Sequence, residues 1–103
     1  MIRHCVFFKL RPDVPQAERD GIYAQLAALV GPIDGLLSAN FGPNVSPEGL
    51  GKGFNDGFVM DLRDAAARDA YLVDPAHKAA GARLVAALDG GREGLMVFDL
   101  EID

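Results

Sequence analysis

What the sequence lacks narrows it first. It has one cysteine, Cys5, so neither an intrachain disulfide nor a cysteine-based zinc site can form. Cys5 sits in an apolar strand and reads as a small core hydrophobe. No run approaches the ~20 apolar residues of a membrane span, and no membrane role is expected. Met1 to Leu10 carries Arg3, His4 and Lys9 and lacks a long apolar stretch. No signal peptide is therefore expected, and the expected location is cytoplasmic. Clustered Lys and Arg are missing too. The formal charge is −5, and non-specific nucleic-acid binding needs a basic cluster, so no nucleic-acid partner is expected. GxGxxG and Walker patterns are absent, as are repeats and low-complexity tracts. No cofactor is expected.

What is present is apolar. Half of the residues are hydrophobic, which is generous for a single domain spanning 1–103. From Ile2 to Arg11 the alternation puts Ile2, His4, Val6, Phe8 and Leu10 on one strand face, and Arg3, Cys5, Phe7 and Lys9 on the other. Pro12 ends that strand. Pro15 suits a first helical turn, and Ile22, Leu26, Leu29 and Val30 then form one apolar stripe. Gly21 weakens this helix by about 1 kcal/mol relative to Ala, and Gly31-Pro32 stops it. Leu36 to Phe41 reads as a second strand, Gly42 to Gly53 as a loop forming a mobile lid or dimer-contact arm, and Asn55 to Leu62 as a third strand. Asp64 caps a short helix, Ala65 to Val73. Asp74-Pro75 opens another that runs to about Leu88. The last strand, about Leu95 to Ile102, sets Met96, Phe98, Leu100 and Ile102 against Leu95, Val97, Asp99 and Glu101.

The order β-α-β-β-α-β predicts an α+β, ferredoxin-like fold, a four-stranded antiparallel sheet with helices on one face. The other face stays bare and carries Cys5 and Phe7. A bare apolar sheet face is unusual for a monomer. The expected solution is a two-fold homodimer with the bare faces packed together.

One group of residues could carry chemistry. Counting from His77, Leu84, Val85 and Leu88 share its helix face, so His77 points toward the sheet. Its place in the first helical turn disfavours the imidazolium. A neutral imidazole can act as a general base. Tyr71, one short turn upstream, could bond His77 or a ligand oxygen. His4 shares a face with Val6 and Phe8. Asp56 shares one with Phe58 and Met60 and needs a partner, for which His4 is the candidate. The expected pocket lies between helices and sheet. Val6, Phe8, Ile22, Leu26, Phe58 and Leu84 line it, and His4, Asp56, Tyr71 and His77 are its polar groups. The plainer reading is that the histidines and Tyr71 only fill the core, with His4 and Asp56 as a structural ion pair. Two His and one Asp also match a metal-ligand set by type, but their spacing is not diagnostic, and no metal site is assigned.

Three segments carry a family resemblance. They are Met1-Ile2-Arg3-His4-Cys5-Val6-Phe7-Phe8-Lys9-Leu10, Gly42-Pro43-Asn44-Val45-Ser46-Pro47-Glu48-Gly49, and Tyr71-Leu72-Val73-Asp74-Pro75-Ala76-His77. With the closing Val97-Phe98-Asp99-Leu100-Glu101, the sequence resembles the stress-responsive A/B barrel (Dabb, dimeric α/β barrel) family along its whole length. The resemblance implies a ferredoxin-like fold whose two sheets meet in a dimeric barrel. It does not imply one activity. Plant members include stress-induced proteins and a polyketide cyclase, olivetolic acid cyclase. The resemblance places that cyclase's active Tyr and His on Tyr71 and His77, and a first-strand histidine on His4. Its third-strand histidine falls on Asp56, a departure.

The expected function is binding of a small apolar or aromatic molecule. If the protein is catalytic, His77 takes a proton from carbon next to a carbonyl and Tyr71 orients the oxygen, in cofactor-free cyclase-, lyase- or isomerase-like chemistry. The alternative is a non-catalytic stress or interaction protein whose homodimer is the functional unit.

Overall fold

The computed structural model describes residues 1–103. In chain order the elements are β1 (Ile2–Phe8), α1 (Gln16–Ala27), β2 (Leu36–Pro43), β3 (Asp56–Leu62), α2 (Ala65–Val73), α3 (Pro75–Ala86) and β4 (Leu95–Glu101). A 3-10 turn, Gly91–Gly94, leads into β4. The sheet order is β2-β3-β1-β4, and each neighbouring pair is antiparallel. This is the ferredoxin-like arrangement the sequence predicts.

Local chemistry sets the helix starts. The Asp64 carboxylate accepts the Ala67 N–H at 2.8 Å and starts α2. Asp74 accepts the Ala76 N–H at 2.8 Å and starts α3, with Pro75 in the first helical position. Such caps satisfy N–H groups that have no intrahelical partner. The strand ends differ slightly from expectation. β1 stops at Phe8, because the Lys9 N–H turns to the Gly94 carbonyl and Leu10 bridges Leu88 outside the sheet. β2 runs on to Pro43, with a bulge between Leu36 and Ser38.

Gly21 has a packing reason. The Arg83 guanidinium of α3 lies over it, and a Cβ there would sit 2.5 Å from a guanidinium nitrogen. Arg83 makes two bonds to the Glu18 carboxylate, at 2.9 and 2.7 Å, and one to Gln25 at 3.0 Å. This clamp fastens α3 to α1. The helical cost of Gly21 is thus exchanged for a paired, bidentate arginine.

The core fills the space between helices and sheet. Ile2, Val6 and Phe8 from β1 meet Phe58, Met60 and Leu62 from β3, with Ile22 and Leu26 from α1 and Tyr71 from α2. The β1 phase is as predicted. Cys5 is buried yet stands outside this cluster, between Val59 and Phe98 on the opposite face. That face also holds the Phe7–Phe98 ring pair, at 5.6 Å between centroids, and the Arg3–Asp61 ion pair at 2.9 Å. Met96, Phe98 and Leu100 are 40%, 41% and 47% exposed there.

Candidate functional site

The β4 register decides which of its faces meets the helices. Val97 pairs with Val6, Leu95 with Phe8 and Asp99 with His4. Directly opposed residues project to the same side, so Leu95, Val97 and Asp99 lie on the helix side. α3 packs mainly on α1 and α2, which leaves the sheet under β1 and β4 partly uncovered. The result is a cleft of about 730 Å3 between α3 and the β4 edge. Val6, Phe58, Leu95 and Val97 form its floor, Leu26, Leu84 and Val85 its wall. Val97 is 49% exposed, so the cleft opens to solvent. Both histidines line it.

His4 is held from behind. Its Nδ1 lies 2.7 Å from Asp99 Oδ1, and Arg68 donates to Asp99 Oδ2 at 2.8 Å. A carboxylate beside Nδ1 favours the tautomer with the proton there. The neutral ring then keeps its lone pair on Nε2. Burial alone would raise the Asp99 pKa, but the bonds from Arg68 and His4 outweigh it, so it lies below the usual carboxylate value. The carboxylate is thus held ionised behind His4.

His77 is held differently. Its ring lies against Tyr71, tilted by 36° with centroids 4.0 Å apart, and Tyr71 meets His4 edge-on at 5.6 Å. Nδ1 of His77 is buried without a hydrogen-bond partner. Burial lowers the His77 pKa; the Leu72 carbonyl and Asp74 pull the other way, and His4 adds to the lowering. In the unfolded chain the ring takes up its proton near pH ~6.5. The folded ring accepts it only at lower pH, so stability is full above that value and falls as pH drops toward the folded pKa. Denaturant titrations at pH 7.5 and 5.5 check this: His77→Leu should flatten the fall over that interval. An unchanged slope would place the titration elsewhere.

Three expectations are corrected by geometry. Asp56 is not the partner of His4. It pairs with Phe8 at the far end of the sheet and lines a separate cavity of about 520 Å3 that residues of the loop 44–55 also line. Asp99 takes its place, because the β4 register sets it opposite His4. The His4–His77–Asp56 ligand set is therefore not assembled, and no cluster of three His, Cys, Asp or Glu side chains stands close enough to hold a metal ion. Tyr71 is wholly buried, and its hydroxyl donates to Met60 Sδ at 3.2 Å. Burial pushes its pKa far up, and it lies behind the cleft rather than in it. Phe8 and Ile22 are likewise core residues behind the cleft. Of the expected lining, Val6, Leu26, Phe58, Leu84, His4 and His77 are brought together. The strand phase had already put Asp99 opposite to Phe98 and could have offered it as a candidate. Arg68 gave no signal in the sequence.

Residues 2–102 match the stress responsive A/B barrel domain. The chain belongs to that family. No curated protein matches this A/B barrel chain. Among solved structures, a dimeric ferredoxin-like protein of unknown function from Jannaschia sp. CCS1 is 33% identical, with 98% of each chain covered and a TM-score of 0.90. A Dabb family protein with a ferredoxin-like fold from Mesorhizobium loti is 24% identical, covering 98% of this chain and 95% of its own, at TM-score 0.75. A hydroxynitrile lyase from Passiflora edulis is 19% identical, covering 99% and 93%, at TM-score 0.86. At that identity the lyase shows a shared fold only.

Proposed function

We propose that this A/B barrel chain forms a homodimer through its open sheet face and binds a small, largely apolar or aromatic molecule in the cleft between α3 and β4. The observation that carries the reading is the cleft itself: it is apolar, reaches solvent and is faced by two imidazoles in different electrostatic settings. A binding site with mostly apolar walls and a few placed polar groups is the usual form of a small-molecule pocket.

If the protein is catalytic, the chemistry is cofactor-free proton transfer next to a carbonyl, of the cyclase, lyase or isomerase kind. His77, held neutral by burial, takes the proton. His4, fixed in one tautomer by Asp99, keeps its lone pair on Nε2 and accepts a substrate hydroxyl or the same proton there. Tyr71 supports both rings from behind. The Passiflora protein, a hydroxynitrile lyase, is an example of this fold hosting a lyase. The Jannaschia protein, described as dimeric and 33% identical, supports the assembly.

His77→Ala tests the site. In a thermal-shift screen of small aromatic and apolar carbonyl compounds, hits on the parent protein should lose at least tenfold in affinity. The sedimentation behaviour should stay the same. Unchanged affinity would move the site elsewhere and favour the non-catalytic dimer.

A further inference from the structure

The charged residues that line the cleft are one-sided; the Asp99 carboxylate stands behind His4, paired with Arg68. The lining contains Lys78 and Arg92 and no Asp or Glu. This is notable in a chain of charge −5. The arginines are otherwise spoken for. Arg3, Arg63, Arg68 and Arg83 bond carboxylates, Arg11 bonds Asp13, and Arg19 bonds the carbonyls of Val14 and Arg11. Arg92 alone makes no side-chain hydrogen bond or ion pair, and it is the arginine at the cleft. Glu93, its neighbour, is exposed and outside the lining.

The two cations mark opposite ends. Lys78 follows His77 in the second turn of α3. Arg92 sits in the 3-10 turn just before Leu95, and Leu95 is level with Phe8. His4 lies four strand residues away from that level, ~13 Å along β1. Between the ends lie Val6, Leu84, Val85 and Val97, all apolar. Arg is suited to planar, two-point recognition of a carboxylate.

We propose that the cleft takes an elongated monocarboxylate: an apolar or aryl-alkyl body along Val6, Val85 and Val97, the carboxylate on Arg92, and the reacting end at the histidines. This rests on the cleft being the ligand site. Lys78 adds positive potential at the histidine end, and the missing acids remove the repulsion that an anion would otherwise meet.

A matched pair of probes tests it. 6-Phenylhexanoate and 6-phenylhexanamide differ in charge and little in shape. Both are titrated into the isotope-labelled full chain and followed by amide NMR shifts. The carboxylate should bind at least tenfold more tightly than the amide, with shifts at Val85, Leu95 and Val97. Arg92→Ala should bring the carboxylate to the affinity of the amide while leaving the amide unchanged. Arg92→Lys should restore part of the preference. Because Arg92 is exposed and unbonded, both variants should keep the parent's amide spectrum away from the turn. Equal binding of both probes in the cleft, or a preference that survives Arg92→Ala, overturns the carboxylate assignment alone. Absence of binding, or shifts confined to other surfaces, overturns the cleft reading and the assignment with it.

Discussion

Phe98→Asp should turn the proposed dimer into a folded monomer. Phe98 is 41% exposed on the open sheet face, tilts against Phe7, and stands between Met96 and Leu100. The chain leaves these side chains only partly covered. A contiguous apolar patch of this kind marks an interaction surface. In a two-fold assembly each substitution enters the contact twice. An unpaired carboxylate taken out of water costs several kcal/mol, and ~4 kcal/mol already weakens association about a thousandfold. Sedimentation at micromolar concentration reads the outcome. Val97→Asp is the matched control, since Val97 projects to the helix side. It should spoil the cleft and leave the dimer. If Phe98→Asp stays dimeric while Val97→Asp dissociates, the two faces have exchanged roles.

Asp99→Ala should be the most costly single change to stability outside the apolar core. It leaves the buried His4 ring without its partner and strands one nitrogen of Arg68. Removing one member of such a pair costs more than the pair contributes, because the other group stays desolvated. Asp99 keeps partial contact with water, and Arg68 retains Asp69, so the expected loss is ~2 kcal/mol. For a domain of this size that is roughly 8–16 °C in Tm, measurable by calorimetry at pH 7. The pH dependence has a definite sign. The folded Asp99 pKa is depressed, so its stabilisation is present above the unfolded value, about 3.9. It is lost as pH falls through the folded pKa. The parent should therefore lose this contribution in acid, and the gap to Asp99→Ala should close there. A constant gap from pH 7 to pH 3 would assign the loss to packing alone.

The sequence reading succeeded where one segment decides the answer. The β1 alternation separated Val6 and Phe8 from Cys5 and Phe7, because side chains on a strand alternate whatever lies beside it. Asp64 and Asp74-Pro75 marked two helix starts, because a cap bonds N–H groups two or three residues away. The inward turn of His77 followed from helical spacing alone.

The readings that failed involved partners from distant segments. Asp56 and Asp99 both lie on the sheet face shared with His4. Only the register of β1 against β3 and β4 sets Asp99 opposite it and Asp56 some distance away. Tyr71 could be placed near His77 by sequence, but its hydroxyl goes to Met60 on β3, which the sheet register sets opposite His4. Gly21 read as a local weakness until Arg83 came to lie over it.

By itself, then, the sequence determined the ferredoxin-like element order, the two-faced sheet and the inward histidine, all of which depend on short-range periodicity and capping. Tertiary structure alone decided that α3 stands away from β4, that Asp99 and Arg68 hold His4, and that Arg92 faces the cleft unpaired. These depend on strand register and helix docking, which join residues up to 95 positions apart and leave no mark on local spacing.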